Sequence, residues 1–145
     1  MRYAIKLTLD DGAYVASCRD LPAFNSVGDS VEEALRESVD GIALVLQSYM
    51  DERQSIPRAT EKKRGEHYVS LPALDVAKIG LYEAMRAKGL RKSGLARLLG
   101  VHGPQVDRLL SLTHKSKLEQ VEEALARLGY RVNVSVEPDT GRRAA

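Results

Sequence analysis

The chain has no tryptophan and a single phenylalanine, so any core it builds is mainly aliphatic. Its one cysteine, Cys18, cannot close an internal disulfide, which points to a reducing compartment and leaves no cysteine partner for a zinc site. His67, His102 and His114 lack metal-ligand spacing, so neither a metal nor any other cofactor is expected. No hydrophobic run is long. Ile42-Ala43-Leu44-Val45-Leu46 falls far short of the roughly 20 residues that a membrane span needs. The start, Met1-Arg2-Tyr3-Ala4-Ile5-Lys6, has no apolar signal-peptide region, and the expected location is cytoplasmic, away from membranes. A Gly-rich phosphate loop and a nucleophile elbow are both missing, so no enzymatic activity is expected.

What is present suits a soluble globular chain: 145 residues, 43% hydrophobic and 29% charged. The formal net charge of +2 hides an asymmetry. Residues 1–70 carry nine bases against twelve acids, and residues 71–145 carry thirteen against eight. Between 86 and 117 eight bases face the single acid Asp107. A basic zone beside an acidic one suggests two partners of opposite charge.

Tyr3, Ile5, Leu7 and Leu9 alternate with polar residues, the period of a half-buried strand. Asp10-Asp11-Gly12 signals a turn, Tyr14–Cys18 the returning strand, and Phe24–Val27 a short third one. Ser30 with Glu33 reads as a capping box. The helix it opens carries Val31, Ala34, Leu35, Val39, Ile42, Leu46 and Tyr49 on one face. Leu44 and Val45 add apolar groups on other faces, so this helix is expected to be covered on more than one side. Nine charged residues with Pro57 and Gly65 make 51–66 a loop, and His67–Leu71 a fourth strand stopped by Pro72. The second half reads as helical. Asp75–Lys88 ends at Gly89, and Ser116 with Glu119 forms a second capping box for a helix closed by Gly129. Val132, Val134 and Val136 then alternate, predicting a strand over 130–136 that must pair with something. Residues 138–145 read as a disordered tail.

Lys92–Leu110 combines several steric requirements. Ala96 is small where a second helix crosses, and Gly100 sits where the chain leaves the first helix left-handed. Leu95, Leu99, Val101, Val106 and Leu109 supply a small core, and Pro104 suits the first turn of a helix. This spacing resembles the helix-turn-helix of the phage-repressor and Cro superfamily, with Arg91 where a Ser or Thr cap is usual. Such a motif puts its second helix in the major groove of duplex DNA. His102, Gln105 and Arg108 are the expected base readers, with Gln suited to adenine and Arg to guanine. Lys92, Lys115 and Lys117 are placed for phosphates. Asp107 is expected to face away or to pair with a basic neighbour.

Asp20-Leu21-Pro22, followed by Gly28-Asp29-Ser30-Val31-Glu32-Glu33-Ala34-Leu35 opening a long helix, resembles the N-terminal domain of HicB-type antitoxins. The resemblance covers about residues 1–136. It implies an α+β chain: a truncated ribonuclease-H-like β-β-β-α-β domain over 1–72, then a helix-turn-helix domain over 73–137 ending in a strand. It also implies two partners, a small basic HicA-type RNA-cleaving toxin and operator double-stranded DNA. The acidic first domain suits the toxin, and Asp20, Tyr14, Asp10 and Asp11 are the candidate contacts. Nuclease activity is not expected, because Ile5-Lys6-Leu7 stands where a metal-binding carboxylate would. A homodimer or higher homo-oligomer is expected, with 130–136 as the candidate pairing strand, and a dimer would present two reading helices about 34 Å apart. The alternative is a dimeric repressor whose first domain senses a small-molecule effector.

Overall fold

Alternation over residues 3–9 does produce a strand, β1 (Arg2–Asp10), one residue longer at each end than the pattern predicts. The computed structural model describes residues 1–139, so most of the tail expected at 138–145 lies outside the described residues. Asp11 and Gly12 have φ of 50° and 79°, the two-residue turn whose twist matches a hairpin. Strand β2 (Ala13–Ser17) therefore returns with Ala13 opposite Asp10. Strand β3 (Asn25–Gly28) pairs with β2, and β4 (Glu66–Ser70) pairs with the other side of β1. The sheet is antiparallel throughout, in the order β3-β2-β1-β4.

Helix α1 (Val31–Asp51) follows β3. The Ser30 hydroxyl accepts the Glu33 N–H at 3.1 Å, and the Glu33 carboxylate accepts the Asp29 N–H at 2.9 Å. The predicted cap is thus formed, its return bond reaching one residue further back. Ala34, Ser38, Ile42, Leu46 and Met50 make the buried row at a spacing of four. Approach to the sheet is close. A Cβ on Gly28 would lie 2.4 Å from the Ala34 nitrogen, so no larger residue fits there without movement. Of the extra apolar groups, Val45 is half-buried against the core, while Leu44 points outward and is 70% exposed in the single chain.

Residues 52–65 are irregular, as predicted, but they are tied down. The Tyr3 hydroxyl donates to the Pro57 carbonyl at 2.7 Å, and the Tyr68 hydroxyl accepts the Lys62 N–H at 3.0 Å. Arg19 pairs with Glu66 at 2.9 Å and also bonds Thr60 and the Glu61 carbonyl.

The second half is four helices: α2 (Ala73–Ala87), α3 (Lys92–Leu99), α4 (Gly103–Leu109) and α5 (Leu118–Arg127). Helix α2 starts two residues earlier than predicted, with Pro72 at its N-cap, where the fixed φ of −56° leads into the helix. Leu95, Val106, Val121 and Leu125 are buried where α3, α4 and α5 meet, each contributing about 1.5–3 kcal/mol. One apolar cluster runs continuously from the sheet through α1 into these helices.

Two expectations are corrected. Ser116 does not cap α5. Lys117 is the N-cap residue, without a side-chain bond, and the Ser116 hydroxyl turns inward to the Arg108 carbonyl at 3.3 Å. The strand predicted over 130–136 is not formed either. The described residues contain no strand partner for it, and a strand exists only through its ladder. Val134 and Val136 are accordingly exposed, 68% and 94%.

Candidate nucleic-acid interface

The turn between α3 and α4 forms as its sequence requires. Gly100 has φ 68° and ψ 36°, and the next N–H, of Val101, bonds back to the Ala96 carbonyl at 3.0 Å. Leu95, Val106 and Leu109 are buried between the helices, with Ala96, Leu99 and Val101 half-buried against them. The last turn of α3 also gains a partner from α5: the Arg127 guanidinium donates to the Leu98 carbonyl at 2.7 Å.

The candidate base readers fall into two groups. His102 and Arg108 are exposed at the start and toward the end of α4. Gln105 is exposed too, but its Oε1 accepts the His102 N–H at 3.0 Å and so caps the helix. Reading adenine through both amide atoms would require breaking that cap. Gln105 and Arg108 also line a cleft of about 180 Å³ toward α5, beside Gln120 and Glu123. Asp107 does pair with a basic neighbour: its carboxylate lies 2.9 Å from the Lys92 ammonium. Both side chains are more than half exposed, so the pair contributes only about 0–1 kcal/mol. Lys115 and Lys117 are exposed on the connection into α5.

What sequence reading missed is the anchor behind α4. Lys78, on α2, is completely buried, and its ammonium donates to three carbonyls: Arg108 at 2.9 Å, Ser111 at 2.7 Å and His114 at 2.6 Å. Three donated bonds require three N–H groups, so this is the charged ammonium and not the amine. Burial pushes its pKa down, opposed by the Asp75 carboxylate one turn earlier; burial in turn raises Asp75. The positive charge sits at the C-terminal end of α4, where the last carbonyls of a helix gather negative potential. Gln47 of α1 grips the same connection. Its Nε2 donates to the Leu110 carbonyl at 3.2 Å, and its Oε1 accepts the Leu112 N–H at 2.7 Å. One signal was available. Lys78 stands on the same helical row as Leu74, Leu81 and Met85, a lone charge on an apolar face.

In the other half, Asp10 and Asp11 are exposed at the hairpin tip, with Tyr14 half-buried nearby and paired opposite Leu9. Asp20 is engaged elsewhere. Its carboxylate accepts the Thr60 N–H at 2.9 Å and the Thr60 hydroxyl at 2.9 and 3.0 Å, clasping the irregular segment. The structure does not bring Asp20 together with the hairpin tip as one free acidic patch.

The family model described as a HicB-like antitoxin of bacterial toxin-antitoxin systems matches residues 2–80. Antitoxin HicB of Pseudomonas fluorescens strain Pf0-1 is 40% identical over 136 residues, 93% of either chain. Antitoxin HicB 2 of Photorhabdus laumondii subsp. laumondii is 33% identical, covering 89% of this chain and 91% of its own. Antitoxin HicB of Escherichia coli strain K12 is 27% identical, covering 92% and 98%. A crystal structure of the Burkholderia pseudomallei antitoxin HicB aligns with a TM-score of 0.42 at 18% identity, over 68% of this chain and 93% of that one. The chain belongs to the HicB-like antitoxin family of bacterial toxin–antitoxin systems.

Proposed function

We propose that this antitoxin binds and neutralises a HicA-type mRNA-cleaving toxin through its sheet-bearing half and represses its own operon through α3 and α4. On this reading the first half is a truncated ribonuclease-H-like unit and the second a Cro-type helix-turn-helix. The observation that carries the DNA half is the α3–α4 pair itself. Its left-handed Gly100 turn, its buried Leu95–Val106–Leu109 contact and its surrounding cations suit insertion of α4 into a major groove. Arg108 and His102 read bases; Lys92, Lys115 and Lys117 meet phosphates. Gln105 contributes to reading only where its cap to His102 opens. The toxin half rests on family membership and on charge, since residues 1–57 hold five bases and ten acids against a basic partner. Asp10, Asp11 and Tyr14 meet the toxin at the hairpin tip, and Asp20 joins them once its clasp on Thr60 is released. A second copy pairs with the unpartnered segment 130–136, giving the dimer that a two-half-site operator needs.

The test is co-expression with the small open reading frame next to this gene, followed by pull-down, a growth assay and a mobility shift on the upstream DNA. Rescued growth, a stable complex and a shift are expected. A harmless neighbour that does not bind would overturn the toxin half and turn attention to an effector. A missing shift would overturn the DNA half alone.

A further inference from the structure

Between the C-terminal end of α1 and the junction of α2 with α3 lies a cleft of about 620 Å³. Its rim carries Arg53, Arg86, Arg91 and Lys92, and Asp51 is its one acid. Among the described residues Arg53, Arg86 and Arg91 have no ion-pair partner; Lys92 has Asp107, and Asp51 accepts the Gln47 amide at 3.0 Å. Four cations converging on one concave surface make a well of positive potential.

Arg53 adds an independent observation. It has φ 58°, the left-handed region that side chains avoid. It is the residue just after the C-cap of α1, and the same place after α2 and α5 is held by Gly89 and Gly129, both also left-handed. The chain thus uses glycine at this position twice and an arginine at the cleft. Strain retained at one side chain is a pointer to function.

We propose that this cleft seats backbone phosphates of duplex DNA flanking the base-read sequence, so that Arg53, from the sheet-bearing half, is itself a DNA-binding residue. The inference rests on the DNA reading above. In helix-turn-helix docking the first helix crosses the DNA backbone while the second enters the groove. Here α3 is that first helix, it begins at Lys92, and Arg91 and Lys92 form one wall of the cleft. A backbone running past Arg91 continues toward Arg86 and Arg53. The cleft is therefore contiguous with the α3–α4 surface and not a separate pocket. The family's toxin-binding half and its DNA would then share a contact.

The experiment uses the full chain and two duplexes, chosen after footprinting the DNA upstream of its own reading frame. One ends at the outermost base pairs whose substitution changes affinity; the other extends by roughly ten base pairs on each side. Fluorescence anisotropy is read across a salt titration. The wild type should show a steeper salt dependence on the extended duplex. The double variant R53G/R86Q should lose about 2 from that slope while binding the trimmed duplex unchanged. R53G alone should raise the melting temperature, because glycine relaxes the backbone, yet weaken binding to the extended duplex. Opposite signs of that kind separate a DNA contact from a folding defect. A wild-type slope in the double variant overturns the proposal. If inorganic phosphate alone, at fixed ionic strength, raises the wild-type melting temperature and not the variant's while the slopes stay equal, the cleft is a free-anion site and the DNA assignment falls. If the wild type leaves no footprint on the upstream DNA, the DNA reading itself has failed, a result distinct from both.

Discussion

Replacing Lys78 by methionine isolates the anchor behind α4. Methionine keeps most of the volume and removes every donor. Three bonds from a charged donor disappear, each worth about 1.5–3 kcal/mol net. Each carbonyl keeps a weaker partner: Ser111 the His114 N–H at 3.2 Å, His114 the Ser116 N–H at 3.0 Å, and Arg108 the Ser111 N–H and Ser116 hydroxyl, both at 3.3 Å. No acceptor is therefore left unsatisfied, and the further penalty of about 1–3 kcal/mol for a bare buried carbonyl does not apply. Against this, the variant no longer desolvates an ammonium, a relief of several kcal/mol. The balance favours a loss of about 2–4 kcal/mol, or roughly 5–15 °C in melting temperature for a chain of this size. Urea denaturation checks it, with the midpoint expected to fall at unchanged slope. Operator affinity should fall in parallel, because the end of α4 is no longer held. A Lys78→Met protein as stable as the wild type would refute the reasoning. That outcome is physically available, since buried ionic groups have been replaced by apolar ones without loss elsewhere.

Gly28→Ala should cost about 1–3 kcal/mol, measured by the same denaturation, because its Cβ meets the Ala34 backbone and not a movable side chain. The Arg19 guanidinium holds the Glu66 carboxyl below its ordinary value, with the Lys63 N–H assisting. A depressed carboxylate stabilises the fold above its unfolded value and ceases to as pH falls through its folded one. Glu66→Gln should therefore flatten the acid limb of a stability–pH curve; an unchanged limb would show that Glu66 does not contribute to it. Arg108→Ala should cost about 1–3 kcal/mol of operator binding and relax specificity. Lys117→Ala should weaken all sequences alike and lower the salt slope by about 1, both read by anisotropy.

The elements whose sequence signal is local were legible. Period-two alternation found β1, the Asp11-Gly12 pair found its turn, Ser30 found the start of α1, and Gly100 found the bend between α3 and α4. Each of these is decided within a few residues by steric or hydrogen-bonding rules. The misses are of another kind. Ser116 carries the local signature of a cap, but the Arg108 carbonyl, eight residues away in sequence, competes for its hydroxyl. Asp20 looks like a free turn carboxylate until Thr60, forty residues later, takes both its oxygens. Residues 130–136 have a strand's pattern without a strand's partner in the same chain. Lys78, Gln47 and Arg127 serve backbone groups 29 to 65 residues distant, and no pattern along the chain announces such a pairing.

These long-range bonds make the connection from α4 to α5 the joint of the molecule. Lys78 holds it from α2, and Gln47 holds it from α1, the helix that runs along the sheet. On the proposed function, α1 belongs to the toxin-binding half and α4 reads DNA, so the two activities meet at the Gln47 amide. Any toxin-induced shift at the end of α1 then changes the free energy of placing α4 in the groove, and the coupling is reciprocal. Gln47→Leu keeps the packing volume and removes both bonds to the joint. In the wild type, saturating toxin should change operator affinity by a factor corresponding to about 1–3 kcal/mol. In Gln47→Leu that factor should shrink toward one, while toxin affinity measured without DNA stays the same. Titration of operator with and without toxin, for both proteins, closes the cycle. An unchanged factor would mean that coupling, if it exists, passes through the DNA or the dimer and not through this joint.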